Sequence, residues 1–160
     1  FMSLPRCKHY FKKLEKFSVC ALKAEKGWIG IEPEPDSFGV YHYVYYGSSK
    51  IGIPFKEESF TVSSNQFFSM KEHLHSPVMM ETIEDFYMIG FNTLNKNEDW
   101  EGRLVTENIL KVDKESQLIC FDGNPVINGK ELTRFDYSEI YPNKDYEIIK
   151  EGVLGLFTKL

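Results

Sequence analysis

His73-Leu74-His75 is the one His-x-His in the chain, with Glu72 beside it and Glu81 and Glu84 following. On an extended segment alternate side chains point the same way, so His73 and His75 could address one point. Two imidazoles joined by a carboxylate such as Glu81 form a ligand set for a divalent ion of the Fe, Mn or Zn type. The competing reading is a polar loop ahead of a helix. Tyr41, Tyr43 and Tyr45 recur every second residue. On a strand they share a face, as a stacking platform for a sugar or base or as ordinary cross-strand packing. His42 falls on the other face with Val40, Val44 and Tyr46. It reads as a core or cavity histidine, with a catalytic base as the alternative. Cys7, Cys20 and Cys120 are too far apart for a Cys-x-x-Cys pair, and Cys120 sits in an apolar run that suits a buried thiol. Gly-x-Ser-x-Gly, P-loop and dinucleotide fingerprints are absent.

Strands would position these groups. Residues 38–46 are dense in β-formers, and Gly47-Ser48-Ser49 then predicts a hairpin to 51–55. Residues 60–68 read as a further strand, as do 18–31 up to Gly30. Pro33 and Pro35 make 32–36 a turn or short rigid loop. Two helices are expected. Pro5 opens one over 5–17, with Cys7, Phe11, Leu14 and Phe17 on one side and lysines opposite. Ser76-Pro77 opens the other, with Met80, Ile83 and Tyr87 inward and Gly90 at its end. Residues 92–99 form a polar loop, and strands dominate from Trp100. No internal repeat is visible.

Bulk properties narrow the class. The chain has 160 residues, 42% hydrophobic and 27% charged, which suits one domain over residues 1–160. Thirteen Phe and nine Tyr favour sheets. The net charge of −5 argues against nucleic acid as a partner, because phosphates require a basic field. The basic group Arg6, Lys8, Lys12, Lys13 and Lys16 reads as a solvated helix face. No apolar run approaches the roughly 20 residues of a membrane span. Reduced cysteines and the lack of a signal-type leader point to the cytoplasm.

The last third of the chain carries a resemblance. Leu118-Ile119-Cys120-Phe121-Asp122-Gly123 leads to Val126-Ile127-Asn128-Gly129, then Phe135-Asp136 and Ile140-Tyr141-Pro142. Asn128-Gly129 has the chemistry of a tight hairpin turn, and Val153-Leu154-Gly155-Leu156-Phe157 would be the closing strand. This order over 116–160 resembles a cupin, the double-stranded β-helix or jelly-roll barrel. The resemblance implies a mainly β fold, a cupin-like jelly-roll barrel with one or two peripheral helices, and a homodimer. Enzymatic cupins hold a divalent metal with two histidines and a glutamate ahead of that glycine and a third histidine after the proline. Here residues 108–116 contain no histidine, Ser116 stands at the glutamate position beside Glu115, and Tyr146 or Glu147 falls near the last histidine position. The resemblance therefore implies the fold without the family's metal site, and no cofactor. The leading expectation is a barrel that binds a small molecule near His42, Tyr41, Tyr43 and Tyr45. A metal-dependent enzyme built on His73, His75 and Glu81 is the alternative, and an interaction or assembly subunit is the third.

Overall fold

Alternation decides the start of the chain. Cys7, His9 and Phe11 alternate with Lys8, Tyr10 and Lys12, and the segment forms β1 (Cys7–Lys13) where a helix was expected. The ambiguity is physical: positions 7 and 11 are four apart, which places them together on a helix and also on a strand. Pairing with β2 (Phe17–Ala24), from Cys7 opposite Ala24 to Lys13 opposite Ser18, settles it. The second expected helix is also strand. Val78, Met80 and Thr82 are buried on β8 (Val78–Thr82), and Phe86, Met88 and Gly90 lie on β9 (Phe86–Thr93) beyond a turn at 83–85. The computed structural model describes residues 4–32 and 39–160, and only short 3₁₀ turns at Pro54–Lys56 and Lys71–His73 are helical among them. The expected peripheral helices are thus absent from the described residues. No helix among them is long and apolar enough to cross a membrane. The loop expected at 32–36 and the start of the strand expected at 38–46 lie largely outside the described residues.

The chain divides between Leu94 and Asn95 into two compact units, in the polar segment expected as a loop over 92–99, whose first two residues, Asn92 and Thr93, extend β9. The first also holds β3 (Ile29–Glu32), β4 (Tyr41–Tyr46), β5 (Ser48–Ile53), β6 (Glu58–Ser63) and β7 (Phe67–Ser69). One sheet has the order β1-β2-β9-β4-β7 and the other β3-β8-β5-β6. Leu22, Val44 and Met88 of the first sheet meet Ile51, Ile53, Val62, Val78 and Met80 of the second in one core. Burying each such side chain contributes about 1.5–3 kcal/mol. The hairpin expected between 38–46 and 51–55 does not form. β4 pairs with β7 and β9, and β5 pairs with β6 and β8, so the chain changes sheets at Gly47. The strand expected over 60–68 likewise splits into β6 and β7, around Asn65 at φ 67°.

The second unit holds β10 (Trp100–Leu104), β11 (Ile109–Leu110), β12 (Ser116–Gly123), β13 (Val126–Ile127), β14 (Lys130–Glu131), β15 (Tyr137–Ile140), β16 (Tyr146–Ile149) and β17 (Gly152–Lys159). Its sheets have the orders β10-β17-β12-β15 and β11-β16-β13-β14. The Asn128-Gly129 turn joins β13 to β14 with both residues at positive φ, 45° and 79°. Leu118, Cys120, Leu154 and Leu156 pack on Leu110, Ile127 and Ile148 between the sheets. Cys120 is fully buried, as its apolar run suggested.

The two units share one topology. With β1 set aside as an added edge strand, β2 to β9 map in order onto β10 to β17, sheet for sheet. Each is a jelly-roll sandwich of two sheets, and the closed barrel expected is not found among the described residues. The same device turns the same corner in both. Gly47 (φ 83°) ends β4 and Gly123 (φ 77°) ends β12. A Cβ at Gly47 would stand 1.9 Å from the Asp85 carbonyl oxygen, and one at Gly123 2.2 Å from that of Glu151.

In the second unit the Arg103 guanidinium forms two 2.9 Å hydrogen bonds to the Glu107 carboxylate. Those bonds hold the Glu107 carboxyl at about 2. A carboxyl depressed on folding contributes stability above its unfolded pKa and loses it as pH falls toward about 2. The pair is partly exposed, so the contribution is small. In Arg103→Gln, an NMR titration should find Glu107 back near the ordinary carboxylate range. An unmoved midpoint would disprove the attribution to Arg103.

Candidate functional site

Cross-strand register builds the site in the first unit. On the inner face of its larger sheet, Cys20 of β2 stands opposite Gly90 of β9, and Gly90 opposite His42 of β4. Phe11 extends this row beyond Cys20, and Phe68 extends it beyond His42. The next row is His9, Leu22, Met88 and Val44. Gly90 has no side chain, so the first row is open between a thiol and an imidazole. Val78 and Met80 of β8 and Gly30 to Glu32 of β3 face this opening from the other sheet. With Trp28 they line a partly open cavity of about 180 Å³.

The chemistry of the lining is mild. His42 is fully buried, and its ring stacks on Phe68 at 4.8 Å and 12°. Gly39, at φ 100°, keeps the imidazole edge uncrowded, because a Cβ there would lie 3.1 Å from His42 Nε2. Burial pushes the Cys20 thiol up, and the charge of Glu32 adds to the shift. Burial also pushes Cys7 up to about 11, with Cys20 adding to it, and the Cys7 Sγ lies 3.2 Å from His9 Nε2. A thiol held protonated is a poor nucleophile, so the arrangement favours holding a molecule over attacking one.

The expected site residues divide. His42 lines the cavity, whereas Tyr41, Tyr43 and Tyr45 do not. Strand alternation turns Tyr41 and Tyr43 to the other face, where both are buried. Tyr41 stacks on Phe67 at 5.7 Å, and the Tyr43 hydroxyl donates to Asn65 Oδ1 at 3.2 Å. Tyr45 meets the rings of Tyr43 and Tyr87 at 5.3 and 4.6 Å. These rings contact protein, as in cross-strand packing.

His73 ends a 3₁₀ turn with Lys56 Nζ 3.1 Å from its Nδ1 and Glu58 Oε2 3.8 Å from its Nε2. His75 is exposed in the following loop. Glu81 sits on β8 opposite Ile29 and Lys50. Among the described residues no three His, Cys, Asp or Glu side chains are grouped to hold a metal ion, so His73, His75 and Glu81 do not converge. In the second unit Ser116, at the family's glutamate position, bonds Lys114 O and Thr158 Oγ1 at 3.0 Å. The Tyr146 hydroxyl accepts from the Tyr141 backbone N–H at 3.0 Å. Both side chains are engaged within the protein.

Sequence reasoning missed Cys20, Trp28, Met80, Met88 and Gly90 as lining residues. The signal was present as period-two alternation in 18–24 and 86–91, but 80–90 also fitted a helix.

No family model matches the chain, and no curated protein matches it. Solved structures do match. HutD from Pseudomonas fluorescens SBW25, in a formate condition, is 14% identical with a TM-score of 0.54, over 98% of each chain. A conserved protein of unknown function, PA5104 from Pseudomonas aeruginosa PAO1, is 11% identical with a TM-score of 0.59, over 98% of this chain and 99% of its own. A cupin 2 conserved barrel domain protein from Leptotrichia buccalis is 10% identical with a TM-score of 0.47, over 99% of this chain and 89% of its own. At these identities the likeness to HutD and PA5104 is one of fold alone.

Proposed function

We propose that the first unit binds a small, mainly apolar molecule in the cavity beside His42, and that binding is its function. The observation that carries the reading is the Cys20–Gly90–His42 row, left open by Gly90 under apolar walls beside a buried imidazole. A cavity of about 180 Å³ is slightly larger than the engineered cavities of roughly 150 Å³ that take benzene. The ligand class is a compact ring or branched aliphatic molecule with one hydroxyl or carbonyl group. The imidazole supplies one directed hydrogen bond to that group, as donor or acceptor.

A panel of such compounds, screened by ligand-observed NMR, tests the proposal. Gly90→Val adds three carbon atoms at the open place in the row and should weaken the best ligand by about 10-fold or more, since even one methylene too many costs about 1–3 kcal/mol of fit. His42→Phe keeps a flat ring against Phe68 and removes the hydrogen bond, for a loss of roughly 3- to 10-fold. A panel with no binder, or a ligand indifferent to Gly90→Val while circular dichroism shows the variant folded, would sink the reading.

A further inference from the structure

The opposite face of the same sheet carries a cluster that the cavity does not use. Lys8 of β1 stands directly across from Lys23 of β2, Lys23 across from Tyr87 of β9, and Tyr87 across from Tyr46 of β4. Arg6 joins the two lysines, and Arg6, Lys8, Lys23 and Tyr46 line a groove of about 230 Å³ with Glu25 and Asp85. Like charges directly opposite each other on neighbouring strands destabilise a sheet. A pair of lysines at such positions, in a chain of net charge −5, is a local reversal of the overall field.

The three cations of the groove outnumber its two acids, Glu25 and Asp85. Arg6, Lys8 and Lys23 form no ion pair among the described residues. Asp85 Oδ1 accepts from the Lys26 backbone N–H at 2.9 Å. The Lys23 ammonium lies 4.6 Å from the centroid of the Tyr87 ring, which steadies its position over the groove. The Tyr46 and Tyr87 rings meet edge to face at 5.7 Å and form a wall beside it.

We propose that this groove binds a phosphate-type oxyanion, held by the Arg6 guanidinium and the two opposed ammonium groups. A planar guanidinium presents paired donors to a phosphate, and each lysine adds a point charge. An oxyanion between Lys8 and Lys23 turns their repulsion into two attractions. The site is separate from the cavity and stands or falls independently of the ligand proposed there.

Inorganic pyrophosphate is the first probe, titrated by calorimetry into the full chain at low salt. Saturable binding is expected, weakened about 5-fold or more in Lys8→Gln and again in Lys23→Gln, and weakened by added salt through screening. Thermal unfolding verifies that both surface variants remain folded. Flotation with vesicles of phosphatidylcholine and phosphatidylserine distinguishes the source of the phosphate. Pyrophosphate binding that both variants weaken supports a soluble phosphate compound. Vesicle binding that both variants weaken, without pyrophosphate binding, assigns the same groove to a lipid headgroup. Absence of both, or binding that neither variant changes, overturns the proposal.

Discussion

Gly47→Ala should destabilise the first unit by about 2–5 kcal/mol, and Gly123→Ala should destabilise the second by a similar amount. Two costs add. Both glycines sit at φ near 80°, a backbone region that L side chains rarely adopt. Both also lie against a backbone carbonyl, that of Asp85 or Glu151, at a distance no Cβ tolerates. A backbone neighbour cannot rotate aside as a side chain can, so the corner itself must shift. Gly129 separates the two costs: it has φ 79° but nothing within 4 Å of a Cβ. Gly129→Ala should therefore lose only about 1 kcal/mol. Urea unfolding of the three variants is the measurement. Equal losses at all three positions would show that the contact with the opposing carbonyl carries no weight.

Phe86→Ala is the second large effect, at about 3–5 kcal/mol. Phe86 is fully buried at the start of β9, in the core that joins the two sheets of the first unit. It stands opposite Ala24, and its Cα lies 3.0 Å from a Cβ built at Gly47, so its backbone abuts the corner that the glycine turns. A small neighbour and a fixed corner limit how far the site can collapse into the space left behind. Against a typical total stability of about 5–15 kcal/mol, such a loss brings the fold close to its threshold. Phe55, 80% exposed, is the comparison, and its alanine variant should stay within about 0.5 kcal/mol of the parent. A loss at Phe86 of the same size as at Phe55 would mean that the core closes freely around the gap.

Local chemistry was legible where it rests on neighbours in the chain. Asn128-Gly129 announced a hairpin because both residues accept positive φ, and the burial of Cys120 followed from its apolar run. The jelly-roll strand order over 116–160 was readable because glycine and proline punctuate strands at fixed corners. Alternation over 41–44 placed His42 on a different face from Tyr41 and Tyr43, but a bulge between Val44 and Tyr46 turns Tyr46 away from the face expected for it beside His42.

Segments compatible with two periods were not legible. Cys7 and Phe11, like Met80 and Tyr87, satisfy helical spacing, and only partners found elsewhere in the chain make them strands. β1 depends on β2, and β8 depends on β3 and β5. The doubled topology was hidden for the same reason. Strand order and sheet exchange recur between the units, but equivalent places hold different side chains, such as Asp85 and Glu151 at the same corner. The cavity is the furthest from sequence, because it exists only where Cys20, Gly90 and His42, tens of residues apart, fall into one row. The chain alone specified the Asn128-Gly129 turn, the alternation that parts His42 from Tyr41 and Tyr43, and a jelly-roll character, since these depend on backbone conformation and on neighbours two residues away. Register between distant strands decided which faces became interior and where a missing side chain left room, because that free energy is gained only when non-local surfaces meet.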